Sequence, residues 1–282
     1  NNGSTDETAT CLQSWKARWG SRLSIVTLPV NVGAAAARNW LAALPEVRAL
    51  PFAAYVDDDV SLPPDWLRHL RRAVQVQPHA SAWGCRIQDA NTEQQQPRIQ
   101  SGPLHLTLGF APTGNTPPLP GQTHGPEAEN AEVAFSPLRA HAEPFSVTTM
   151  PPACPDRGQW NYIRACASVT GCCHMFRTES LQTNHFSLSL SPSQYDDLEH
   201  DLRALRQGHL ACYTGFCAGL HARKSGQAAE GMSPSAFGSA LGNKYKMHGL
   251  FSPEDITAMA HTEYADLEED LLQKLSFIDA TA

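Results

Sequence analysis

The stretch Phe52-Ala53-Ala54-Tyr55-Val56-Asp57-Asp58-Asp59-Val60 runs from apolar residues straight into three carboxylates. The short apolar run predicts a strand, and the acids place the strand's C-terminal end at a sheet edge. In open α/β sheets that edge is where ligands bind. Three adjacent carboxylates repel one another unless water or a cation shares them. Oxygens from alternate positions, Asp57 and Asp59, suit a hard divalent ion such as Mg2+ or Mn2+. The triplet also suits a solvated acidic turn, because Pro63 and Pro64 follow closely.

Outward from this strand, helix and strand signals alternate. Thr5–Trp19 reads as a helix with Ser4 or Thr5 as N-cap, and Leu23–Leu28 as a strand ended by Pro29. Ala34–Leu44 is an Ala-rich helix closed by Pro45, and Pro63/Pro64 start a helix through Trp66, Leu67, Leu70 and Val74. This order predicts an α/β fold with a mostly parallel sheet flanked by helices. From about residue 88 the character changes: twelve of the 21 prolines lie between Pro97 and Pro155, behind Gln94-Gln95-Gln96. Such a segment predicts long loops with a few short strands. Regular structure resumes over Ile163–Phe176, followed by a helix from Asp196 to Gln207 and a strand over Leu210–Phe216. Pro253–Leu275 reads as an acidic amphipathic helix with Ile256, Met259, Leu267, Leu271 and Leu275 near one face. The expected organisation is one domain over residues 1–250, with a Pro-rich variable segment at 88–160, and a C-terminal helical extension over 251–282.

The 282 residues carry a net charge of −7, so no basic field exists to hold a phosphate backbone, and nucleic acid is not expected as a partner. Apolar stretches such as Leu50–Val56 stop far short of the roughly 20 residues of a membrane span, so no transmembrane segment is expected. The eight cysteines are scattered, with no CxxC pair. Cys172-Cys173-His174 and Cys212, Cys217 and His221 assemble into a zinc site only on paper. Free thiols in a reducing cytoplasm are the expectation, with peripheral membrane association left open. The chain opens at Asn1-Asn2-Gly3-Ser4 without Met, as a fragment would.

Two more blocks precede the acidic strand end. Asn1-Asn2-Gly3-Ser4-Thr5-Asp6-Glu7-Thr8 opens the chain, and Asn31-Val32-Gly33-Ala34-Ala35-Ala36-Ala37-Arg38-Asn39 follows it. With Asp57-Asp58-Asp59 and Pro64-Asp65-Trp66-Leu67, these blocks resemble family 2 glycosyltransferases in order and type. Members of that family show an Asp-rich GSTDGT-like loop, an NxGxxxARN segment, and a DxD-type strand end followed by a proline and Asp-Trp-Leu. The resemblance covers about residues 1–85 and returns later in the chain. Val169-Thr170-Gly171-Cys172-Cys173-His174-Met175-Phe176-Arg177 is similar to the family's tGacxlfrr segment. Asp196-Asp197-Leu198-Glu199, with Arg203 and Gly208, is similar to its EDxD…R…G block, although the outer Glu and Asp are exchanged.

The resemblance implies a GT-A fold and an inverting transfer from a nucleotide-sugar donor to a hydroxyl of a glycan, lipid-linked or protein acceptor, as in polysaccharide biosynthesis. Asp197 aligns with the catalytic base. Asp57 and Asp59 are the DxD carboxylates and metal ligands, and Asp58 lies near the ribose or diphosphate. His221, thirteen residues after Gly208, is a third metal ligand through neutral imidazole. Arg38 and Asn39 fall in the donor-binding segment, where a guanidinium suits diphosphate oxygens. Gly33 lets the backbone pass close by. Asn1 stands where the family carries a nucleotide-contacting Asp. The resemblance also places a further strand and loop ahead of Asn1. Two other classes fit parts of the pattern. One is a sugar nucleotidyltransferase; the other is a non-catalytic domain of glycosyltransferase type with the C-terminal helix as a docking element. Against the residues alone, Asp196–Glu199 also suits an ordinary acidic first turn, with Glu199 placed to pair with Arg203.

Overall fold

The computed structural model describes residues 1–90, 98–108, 145–149, 155–191, 194–222 and 234–281. Most of the Pro-rich segment, and Cys154 with it, lies outside the described residues. Helices α1 (Thr8–Trp19), α2 (Ala34–Ala42) and α3 (Pro45–Arg48) lead to β1 (Phe52–Val56). Then come β2 (Val60–Ser61), α4 (Trp66–Val76), β3 (Ala82–Asp89), β4 (Arg98–Ser101) and β5 (Leu104–Leu108). After β6 (Phe145–Thr149) follow β7 (Ile163–Cys166), β8 (Cys173–Arg177), α5 (Thr178–Thr183), α6 (Asp196–Arg206), β9 (Ala211–His221), α7 (Pro234–Gly249) and α8 (Pro253–Thr281).

The α/β class holds, but the sheet is mixed rather than mostly parallel. Its strands run in the order β1-β8-β3-β9-β2, with β4 on β3 and β7 on β9, while β5 and β6 pair separately. Only β3 and β9 pair in parallel among these strands; the other pairings are antiparallel. The reason is β8. Strands β1, β3 and β9 share one direction, as the alternation of helix and strand requires, but β8 arrives from far along the chain and inserts antiparallel between β1 and β3. His174 faces Tyr55 on one side and Gly84 on the other. The strand expected at Leu23–Leu28 contributes a single bridge, Asn2 to Leu28.

Central β3 and β8 are buried along nearly their whole length, as strands covered on both faces are. On one side Ala35 and Ala42 of α2 pack with Phe176, Phe186 and Tyr213. Elsewhere Leu198, Leu202 and Leu205 of α6 meet Met247, Phe251, Ile256, Met259 and Ala260. Because β1, β3 and β9 are mutually parallel, their C-terminal ends share one edge of the sheet. That edge holds Asp57–Asp59 and His221.

Candidate active site

The aspartate triplet forms the turn between β1 and β2. Asp57 N–H donates to Cys172 O at 3.0 Å, Val60 N–H to Asp57 O at 3.2 Å, and Ala222 N–H to Asp59 O at 2.8 Å. The turn is thus fixed at once to the start of β8 and the end of β9. Val60 pairs directly with His221, which sets that histidine beside the acids. Asp59 Oδ1 lies 3.2 Å from His221 Nε2, and His221 Nδ1 lies 2.9 Å from Gln100 Oε1. Gln100 is a partner that the sequence did not signal, since it reaches the site only through pairing of β4 with β3. Asp58 is exposed.

The second acidic cluster arrives on the first turn of α6. Gln194 and Tyr195, directly before it, adopt left-handed backbone angles with φ of 78° and 70°. Non-glycine residues in that region carry strain of a kind that collects at functional sites. Asp196 is buried and binds Arg38 Nη1 at 2.8 Å, while Asp197 is half-buried and its Oδ2 accepts the Gly171 N–H at 2.8 Å. Gly171 is required here: a Cβ at that position would sit 2.4 Å from Asp197 Oδ2. Glu199, itself buried, pairs with Arg203 at 2.5 Å, the i,i+4 pairing anticipated for it.

Arg38 joins the two clusters. Its Nη2 lies 3.6 Å from Asp57 Oδ1, and its guanidinium stands over the Phe186 ring at 5.4 Å from the centroid. Burial works against its charge, yet Asp196, Asp197 and Asp57 outweigh that and raise its pKa. Burial raises the pKa of Asp57, and Asp59 and Asp197 push it further against the pull of Arg38 and His221. Burial likewise raises Asp196 against the pull of Arg38. The Cys172 thiol is pushed up by burial, then by Asp57, Cys173, Asp197 and Asp59.

The remaining expected residues divide. Gly33, with φ of 85°, sits at the N-terminus of α2. Asn2 and Asn31 tie the opening loop to this turn: Asn2 Nδ2 donates to Asn31 Oδ1 at 3.0 Å, and Val32 N–H to Asn2 Oδ1 at 2.9 Å. Asn1 Oδ1 accepts the Ser4 N–H at 2.9 Å. Asn39 has both ends of its amide on the Phe186 backbone, each at 2.8 Å, so it holds the loop under Arg38. Asp57 leans to Arg38 rather than joining Asp59 and His221. Among the described residues no group of three or more His, Cys, Asp or Glu is placed to hold a metal ion, which also removes the zinc site drawn on paper. The seven described cysteines are free.

Residues 1–125 match the family model of glycosyl transferase family 2. Over those 125 of its 282 residues the chain is similar to that family. A crystal structure of GalNAc-T7 with UDP, GalNAc and Mn2+ is similar to this chain with a TM-score of 0.57 and 11% identity, over 88% of this chain and 40% of that one. At that identity the likeness shows the fold, which is GT-A. The chain spans about 40% of the length of the GalNAc-T7 chain. No curated protein matches the sequence. Among the described residues no helix is long and apolar enough to cross a membrane.

Proposed function

We propose that the protein is an inverting, metal-dependent glycosyltransferase that moves a sugar from a nucleotide-sugar donor to a hydroxyl of a glycan, lipid-linked or protein acceptor. One observation carries the reading. Carboxylates from two distant segments meet at the C-terminal sheet edge, linked through Arg38, and only Asp197 among the α6 pair stays partly open to solvent. Asp197 takes the proton of the acceptor hydroxyl as that oxygen attacks the anomeric carbon. The bond from that carbon to the diphosphate oxygen breaks, and its electron pair leaves with the nucleoside diphosphate. Gly171 N–H fixes one oxygen of Asp197 and leaves the other for this proton. Asp59 and His221 offer a hard oxygen and an imidazole 3.2 Å apart, a pair that fits Mg2+ or Mn2+ when substrate phosphates and water fill the other positions. Such an ion, when bound, neutralises the departing diphosphate. Asp57 holds Arg38 between the clusters, and Asp58, Asn1 and the Gly33 turn border the space for the nucleotide. The free thiols suit the cytoplasm, where polysaccharide biosynthesis supplies such acceptors.

Thermal shift with UDP, GDP, dTDP and CDP, each with and without Mn2+, tests the donor half. A ligand at about 100 times its Kd adds roughly 2.7 kcal/mol of stability. A Mn2+-dependent shift is expected with one nucleotide, UDP being the first choice by analogy with the GalNAc-T7 complex, and Asp59→Ala should remove it. A shift of equal size without Mn2+, or in Asp59→Ala, would overturn the metal assignment.

A further inference from the structure

The connection from β7 to β8 is held in an unusual way. Ala167 N–H donates to Glu263 Oε1 at 3.0 Å, Val169 N–H to Asp201 Oδ2 at 3.3 Å, and Gly171 N–H to Asp197 Oδ2 at 2.8 Å. Three successive odd-numbered amides therefore end on three carboxylates, two from α6 and one from α8. Ser168 between them pairs with Leu104 in both directions, at 3.0 and 3.2 Å, and its hydroxyl donates to Asp201 Oδ2 at 2.7 Å. The segment is bound on both sides like a strand whose outer neighbour is a row of acids.

Asp197 and Asp201 stand one helical turn apart, so they share a face of α6. Asp201 is fully buried, which demands compensation for its charge. His174 Nε2 at 3.3 Å and His200 Nδ1 at 3.7 Å face its Oδ1, while its Oδ2 accepts from the Ser168 hydroxyl and the Val169 amide. Both rings are fixed in turn, His174 stacked on Phe176 at 4.1 Å and His200 on Phe186 at 4.6 Å, with His200 Nε2 at 2.8 Å from Asn184 O. Glu263 is equally buried and also accepts the Leu106 N–H at 2.9 Å, beside His105 Nδ1 at 2.7 Å.

We propose that Asp201, braced by His174 and His200, is a positioning residue for Asp197. It holds the 167–171 segment in the one register that presents the Gly171 N–H to the base, with Glu263 anchoring the far end. The inference rests on Asp197 being the base. The test compares parent, Asp201→Asn, Glu263→Gln and Asp197→Asn, using UDP binding by calorimetry, UDP release from UDP-GalNAc with Mn2+ and water as acceptor, and amide exchange over residues 167–171. Misplacing a catalytic group by about 1 Å costs up to roughly 100-fold in rate. Asp201→Asn keeps the shape of the side chain and should fold. It is expected to exchange the Val169 and Gly171 amides at least about 10-fold faster and to release UDP about 10- to 100-fold more slowly, with the Kd for UDP within about twofold. Glu263→Gln should do the same more weakly, with its effect centred on Ala167. Unchanged exchange at Gly171 in Asp201→Asn overturns the proposal, as does parental UDP release in that variant when Asp197→Asn has lost it. If Asp197→Asn releases UDP normally, the base assignment fails, and exchange at Gly171 alone then decides whether Asp201 sets the segment.

Discussion

Gly171 and Arg38 show how much of the site depends on single side chains. At Gly171 the constraint is space. A methyl group there must displace the Asp197 carboxylate, because the nearest oxygen would stand only 2.4 Å away. Gly171→Ala is expected to cost about 1–3 kcal/mol, in the range of other overpacked positions. Its rate of UDP release should fall while UDP still binds, as read by urea denaturation and calorimetry. At Arg38 the constraint is charge. Asp196 is 6% exposed at its side chain, and removing its partner leaves a buried carboxylate uncompensated. Arg38→Met should therefore lose about 3–5 kcal/mol, and Asp196→Asn in the same chain should recover part of it. Equal stability of the single and double variants would show that the two side chains are not coupled.

At the scale of elements, what the sequence made legible was local. The run Phe52–Val56 forms β1 with those bounds, and Asp196 begins α6 as its acidic first turn indicates. The first acidic cluster stands out as carboxylates at the end of an apolar strand, whereas the second is marked by the family resemblance and by its residues alone suits an ordinary helix start. Pairing was not legible: nothing within Cys173–Arg177 tells which strands it joins, and its insertion between β1 and β3 makes the sheet mixed. Gln100 and the pairing of His174 with Asp201 were not legible for the same reason, since those partners lie far away in sequence. The buried face of α6 nevertheless has a measurable consequence. Burial pushes the Asp201 carboxyl up, but His174 and His200 outweigh it and hold the group well below the ordinary carboxylate range. A depressed native pKa stabilises the fold above the unfolded value of about 3.9, and that contribution is lost as pH falls below it. Asp57 and Asp196, raised by burial, act with the opposite sign and lose stability as pH rises through their native values. Urea denaturation at stepped pH should thus show a fall in stability below about pH 4 that is shallower in Asp201→Asn. An identical slope in both proteins would mean that Asp201 binds its proton equally in the folded and unfolded chains.

Across the whole molecule, the question is whether the C-terminal helix is an extension or part of the domain. Its composition, acidic and late in the chain, sets residues 251–282 apart from the sheet-bearing region. Its inner face does not. Phe251, Ile256 and Met259 are at most 4% exposed and share a core with Leu198, Leu202 and Leu205 of α6. Each such side chain contributes about 1.5–3 kcal/mol on burial. Three of them together approach the whole stability of a typical domain, about 5–15 kcal/mol. Glu263 adds a second tie, because without it the Leu106 and Ala167 amides lose their acceptor inside the protein. A chain ending at Leu250 should therefore lack a cooperative thermal transition, whereas one ending at Asp270 keeps every group named here and should retain it. Scanning calorimetry on the two chains separates the cases. A chain of residues 1–250 that melts sharply at the parental Tm would make α8 an accessory, and the bracing of Ala167 from α8 would then carry no weight in the fold.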